Sequence, residues 1–185
     1  MIRFIATLTL VGAFCVACSS GGVPLDTYAS DVEAGAAAHA HEIDDLRSRY
    51  LAELDDAVAG LQQSLEGAAL VDAAVHETAG RSLALFASLG DALDRYIRDL
   101  ENLDAPTVVS SEHQEFVDAL ISSRAGISPI LEALPTSTSF DEIDRVIAGS
   151  GFTDAQLRVE AVCTTLERAI GRQGVEVDLR CAGMG

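Results

Sequence analysis

The chain has 185 residues, 49% of them hydrophobic and 22% charged, which suits one folded domain with a sizeable core and not a disordered chain. Its formal net charge is −17, with 29 carboxylates against 12 arginines and no lysine, so it repels phosphate backbones and anionic headgroups alike. That excludes nucleic-acid binding, membrane attachment through a basic patch, and chemistry that needs a Schiff-base or phosphate-loop lysine.

Residues 1–22 read MIRFIATLTLVGAFCVACSSGG. Arg3 supplies a short positive start, and Phe4 to Phe14 supply an apolar run broken only by Thr7, Thr9 and Gly12. The run gives way at Cys18 to Ser-Ser-Gly-Gly, too soon for a spanning helix of about 20 residues. The segment Cys15-Val16-Ala17-Cys18 resembles the lipobox of bacterial lipoproteins, with Val16 and Ala17 suited to the two positions before the cut. Cys15 stands where that family usually carries Leu or another aliphatic residue. The resemblance implies cleavage before Cys18 by signal peptidase II and a diacylglyceryl anchor on the Cys18 thiol. It also implies a chain held at the cell membrane, facing outside the cytoplasm. An ordinary secretory peptide and an uncleaved anchor are the competing readings. Cysteine parity supports the lipoprotein: with Cys15 removed and Cys18 acylated, Cys163 and Cys181 remain as one pair, as an oxidising compartment favours. On this reading residues 1–17 are a signal peptide, 18–26 the lipidated cysteine and a flexible tether, and 27–185 the folded domain.

Sparse aromatics, at 5%, together with abundant Ala, Leu, Asp and Glu, favour an all-α domain. Tyr28, Val32, Ala36, Ile43, Leu46, Tyr50, Leu54, Leu61 and Leu65 recur at helical steps and predict a first long helix over 27–66. Gly67 and its neighbours offer a break, and Val75, Ala79, Phe86, Leu89, Leu93, Ile97 and Leu100 predict a second helix over 71–103. So short a connection forces the two antiparallel. Asp104-Ala105-Pro106 ends the second helix. Three capping boxes then mark later starts, Ser111 with Gln114, Ser139 with Glu142, and Thr153 with Gln156. They place helices over 111–134, with a kink or a restart capped by Ser128 at Pro129, over 140–148, and over 154–172. Val175-Glu176-Val177-Asp178-Leu179 alternates and predicts an extended tail along the bundle. A bridge between Cys163, inside the last helix, and Cys181 would staple that tail down. The expected architecture is an antiparallel bundle of four to five helices with a disulfide-stapled tail.

Chemistry is harder to find. No G-x-G-x-x-G, Walker, H-E-x-x-H or EF-hand sequence occurs, and Gly149-Ser150-Gly151 lacks the strand-elbow-helix context of a nucleophile. Asp44-Asp45 and Asp55-Asp56 fall on solvated faces, where nothing raises a carboxyl pKa. Tyr28, Tyr50 and Tyr96 read as residues at the edge of the core. His39 and His113 both fall on apolar stripes, and folding about residues 69 and 107 brings them to one layer near Arg98, Asp99 and Glu101. Two imidazoles and a carboxylate there would suit a divalent metal, set against the plainer reading of two hydrogen-bonded core histidines. His41 and His76 fall on water-facing flanks. The expected function is therefore non-enzymatic and without a cofactor: an envelope module that binds an unidentified protein partner. The alternative is a small-molecule or metal-binding bundle with its site near His39 and His113.

Overall fold

The computed structural model describes residues 23–183, and the expected leader, Cys18 and the first part of the tether lie outside them. Five α-helices follow in order: α1 Leu25–Ser64, α2 Gly67–Glu101, α3 Ser110–Ala133, α4 Phe140–Gly149 and α5 Phe152–Gly171. Short 3-10 turns occupy Leu134–Thr136 and Cys181–Gly183, and no strand occurs among the described residues. The first helix begins at Leu25, two residues earlier than expected. Pro24, fixed at the position before the first turn, accepts from the Tyr28 amide at 3.0 Å and starts α1 at once.

Charged and polar pairs set the antiparallel register. Glu42 meets Arg95 while Glu53 meets Arg81, and the Tyr50 hydroxyl reaches Ser82 Oγ at 3.1 Å, so rising numbers on α1 pair with falling numbers on α2. Asp94 on α2 holds Arg124 on α3 at 3.0 Å, and Glu112 on α3 faces Arg172 just past α5, so each long helix runs against its neighbour. The layers are α1 on α2, α2 on α3 and α3 on α5, with α4 held by Ile143. Tyr28, Val32, Phe116, Leu120, Ile127, Ile130, Leu166 and Ile170 fill the core at under 2% exposure. Burying side chains of this size is worth ~1.5–3 kcal/mol each and carries the fold.

Beyond this core the α1–α2 hairpin continues as an arm. No residue between Ile43 and Val75 is fully buried, and the arm closes through Leu65-Glu66 into Gly67, whose φ of +62° suits glycine. Its length along α1 is on the order of 30 Å.

Three local expectations are corrected. Ser111 does not cap α3: the helix starts at Ser110 after Val109, and Ser111 Oγ donates to Glu112. Thr153 does not cap α5, because Gly151 at φ +76° precedes the first turn and Ser150 Oγ accepts from the Phe152 amide at 3.1 Å. Pro129 neither restarts α3 nor leaves Ser128 as a cap, since the helix runs unbroken to Ala133. Both residues are exposed, so water can solvate the carbonyl that the proline ring leaves unpaired. The remaining box forms half as expected. Ser139 Oγ accepts from the Glu142 amide at 3.2 Å, while the Glu142 carboxylate accepts instead from the Thr138 amide and hydroxyl, which hold its pKa down.

Gly126 lies where α3 passes close to the backbone at the start of α5. A Cβ there would lie 2.9 Å from the Phe152 Cα and 3.0 Å from its nitrogen, both backbone atoms that cannot swing away. Gly126→Ala is therefore expected to destabilise by roughly 1–3 kcal/mol, overpacking outweighing alanine's better helix propensity. A denaturant midpoint equal to that of the wild type would contradict it.

The tail follows its alternation. Val175 and Val177 are half-buried, Leu179 is fully buried, and Glu176 and Asp178 face water. Cys163 and Cys181 form the expected disulfide across 18 residues of sequence. Arg180, just before it, has φ +51°, a left-handed conformation steadied by the Asp178 carboxylate accepting from the Arg180 amide at 3.0 Å.

Candidate functional site

The two inward histidines are buried, as their stripes require, but they do not share a site. His113 lies at the start of α3, where its Nδ1 meets the Tyr28 hydroxyl at 2.8 Å and its ring also hydrogen-bonds the Leu100 carbonyl. Burial lowers its pKa, and the hydrogen bond to Leu100 opposes that shift. His39 lies on α1, stacked on Tyr96 with ring centroids 4.5 Å apart and planes 13° from parallel. Burial lowers its pKa to about 4, with Arg95 adding to the shift and Glu42 opposing it. Its Nδ1 is buried with no hydrogen-bond partner.

The residues expected beside the histidines point elsewhere. Arg98, Asp99 and Glu101 are exposed, while Tyr96 and Leu100 turn inward to meet the rings. A step of one residue rotates a helix by about 100°, so a level placed correctly to within two residues still selected the wrong face. Among the described residues no group of three His, Cys, Asp or Glu converges as a metal site would. Tyr28 and Tyr96 lie fully in the core and not at its edge, and Tyr50 is half-buried. His41 and His76 face water, and His41 sits 3.7 Å from Asp45. Asp44, Asp55 and Asp56 are exposed as well.

What the fold builds beside His39 is an apolar pocket of about 150 Å³. α1 contributes His39, Ile43 and Arg47, α2 contributes Leu85, Phe86, Leu89 and Leu93, and the first turn of α5 contributes Phe152 and Gln156. The pocket lies where α5 begins while α1 and α2 run on into the arm. Phe152 meets Phe86 edge-on at 5.6 Å and closes part of the wall. Ile43, Phe86, Leu93 and His39 are buried, Phe152 and Gln156 are half-buried, and Arg47 is exposed at the rim. Among the described residues, one charged group, Arg47, and no carboxylate line it.

Sequence reasoning placed Phe86, Leu89, Leu93 and Ile43 on core stripes but could not see that they enclose a space. It missed Phe152, Gln156 and Arg47. The one available signal was the Gly-Ser-Gly turn, which fixes where α5 starts and so where its first aromatic lands.

The comparisons with known proteins add no parallel. Nothing matches this chain among family models, curated protein sequences or solved structures. No described helix is long and apolar enough to cross a membrane.

Proposed function

We propose that this chain is a lipid-anchored, extracytoplasmic binding protein and not an enzyme, and that it takes a small, mainly apolar molecule into the pocket beside His39. The observation that carries the reading is the pocket itself: among the described residues, aliphatic and aromatic walls with three polar groups, His39, Arg47 and Gln156. Mostly apolar pockets with a few placed polar groups are what small-molecule sites look like. The site is refined from the pair His39 and His113 to His39 alone.

Toluene tests the pocket. Titrated into the full chain in detergent micelles, it is expected to shift the methyl resonances of Ile43, Leu85, Leu89 and Leu93 while leaving exposed Leu51 and Leu157 unmoved. Equal shifts at both sets, or none, would discard the reading. The anchor is tested separately: Cys18→Ala, or globomycin, is expected to block maturation and release the body from membranes, and unchanged processing with unchanged membrane association would count against the lipid.

A second reading, docking of an envelope protein, is favoured by the arm, which carries no fully buried residue between Ile43 and Val75. Against it, the large exposed apolar residues Leu51, Val71, Val108, Ile121, Phe140 and Leu157 fall on six different segments and form no stripe along any one described helix. Crosslinking from Leu51 and Val71 in native membranes would reveal such a partner.

A further inference from the structure

We propose that Glu167 guards the Cys163–Cys181 disulfide by charge, so that thiolates open it slowly and acidic thiols most slowly of all. The proposal stands apart from the ligand-binding reading and does not rest on it.

Two elements build the geometry. Cys163 and Glu167 lie four residues apart on α5, which puts them on one face of that helix. Cys181 arrives from the tail, and its Sγ lies 3.5 Å from Glu167 Oε2. A disulfide sulfur has no proton to donate, so this contact sets a carboxylate against a sulfur and is not a hydrogen bond. The same oxygen accepts from the Leu179 amide at 3.4 Å, which holds the carboxylate toward the bond. Among the described residues no ion pair engages Glu167, and Arg168 and Arg180 are both exposed.

Opening the bond is an exchange. A thiolate attacks one sulfur, the S–S bond breaks, and the other cysteine leaves as a thiolate with the electron pair. A second thiolate then attacks the mixed disulfide. The reagent departs as its own disulfide, oxidised by two electrons, and both cysteine thiolates take up protons from water. Either direction of attack brings negative charge to Glu167. Attack on Cys181 places the incoming sulfur about 2 Å from Sγ, and so within roughly 6 Å of the carboxylate. Attack on Cys163 releases Cys181 as the thiolate, beside that same carboxylate. Like charges this close repel, and more so where water is partly excluded; Cys163 is 0% exposed and Cys181 8%. Glu167 rides on the helix that carries Cys163, so its charge stays one turn from that sulfur wherever the tail moves.

The test uses the full oxidised chain in uncharged detergent micelles and three monothiols: neutral 2-mercaptoethanol, anionic 2-mercaptoethanesulfonate and cationic cysteamine. Released thiols are alkylated, and the peptides carrying Cys163 and Cys181 are weighed. Glu167→Gln keeps an acceptor for the Leu179 amide and removes the charge. At low ionic strength 2-mercaptoethanol is expected to reduce it about three- to tenfold faster than the wild type. The ratio of the cysteamine rate to the sulfonate rate, compared between the two proteins, cancels the reagents' own reactivities. It is expected to fall by about twofold or more in the variant, and added salt to shrink both differences. Equal rates in wild type and variant would overturn the proposal. So would an equal acceleration by all three thiols, the mark of a loosened tail and not of a lost charge. Should Glu167→Gln not fold, Glu167→Ala is read by the same ratio.

Discussion

Reducing the Cys163–Cys181 disulfide is expected to lower the free energy of unfolding by about 3 kcal/mol, the loop-closure entropy of a crosslink spanning 18 residues. For a body of this size that corresponds to roughly 6–12 °C in melting temperature. The staple secures little other structure. Between the end of α5 and the bridge, only Leu179 is fully buried, and its carbonyl lies beside Cys163 while its amide reaches the Glu167 carboxylate at 3.4 Å. The tail has no helical or sheet ladder to hold it once the crosslink opens. Denaturant melts of oxidised and reduced protein at one pH check the figure, with amide exchange across 175–181 reporting whether the tail itself loosens. Coincident melts and an unchanged tail would mean that Leu179 and the half-buried valines dock it unaided.

Mild acid is expected to destabilise the fold before the carboxylates protonate, through His39. Folding depresses its pKa from about 6.5 in the unfolded chain to about 4, chiefly by burial. As the pH falls, the unfolded state therefore takes up the proton first. The stabilisation is complete above pH ~6.5, is lost progressively as pH falls toward ~4, and changes no further once both states are protonated. The total is about 3 kcal/mol, of which about 2 kcal/mol is gone by pH 5. His113 shifts in the same direction and adds to the loss in the same range. Protonation of carboxylates acts oppositely, relieving self-repulsion in a chain of net charge −17, but at lower pH. Denaturant midpoints at pH 7.5 and pH 5 are expected to diverge in the wild type and to converge in His39→Phe, apart from the remainder due to His113. A wild-type midpoint independent of pH over this interval would show that the imidazole keeps water.

How much was legible can be judged from particular residues. The α1 and α2 stripes were readable because their apolar residues recur every three or four positions over many turns, and a period repeated that often admits one secondary structure. The alternation from Val175 to Leu179 was readable for the same reason at the shorter period, and the pairing of Cys163 with Cys181 was expected because the lipobox resemblance sets Cys15 and Cys18 aside. The caps at Ser111 and Thr153 misled. A hydroxyl followed three residues later by Gln satisfies the pattern of a capping box, yet Gly151 and the Pro106–Val109 turn started those helices earlier, and backbone geometry outranks a side-chain option. Position along neighbouring helices could be estimated, and the levels of His39 and His113 came within two residues of Tyr96 and Leu100. Rotation could not, because it depends on how α1, α2 and α3 seat against one another.

Amino-acid order alone determined the helical class, the antiparallel hairpin, the extended tail and the burial of both inward histidines. All of these follow from periodicity and turn chemistry. Only the tertiary structure decided that His39 pairs with Tyr96 and His113 with Tyr28, that the two do not meet, and that a pocket opens where α5 begins. A cavity is a property of surfaces that fail to touch, and no single helix encodes the shape its neighbours leave empty.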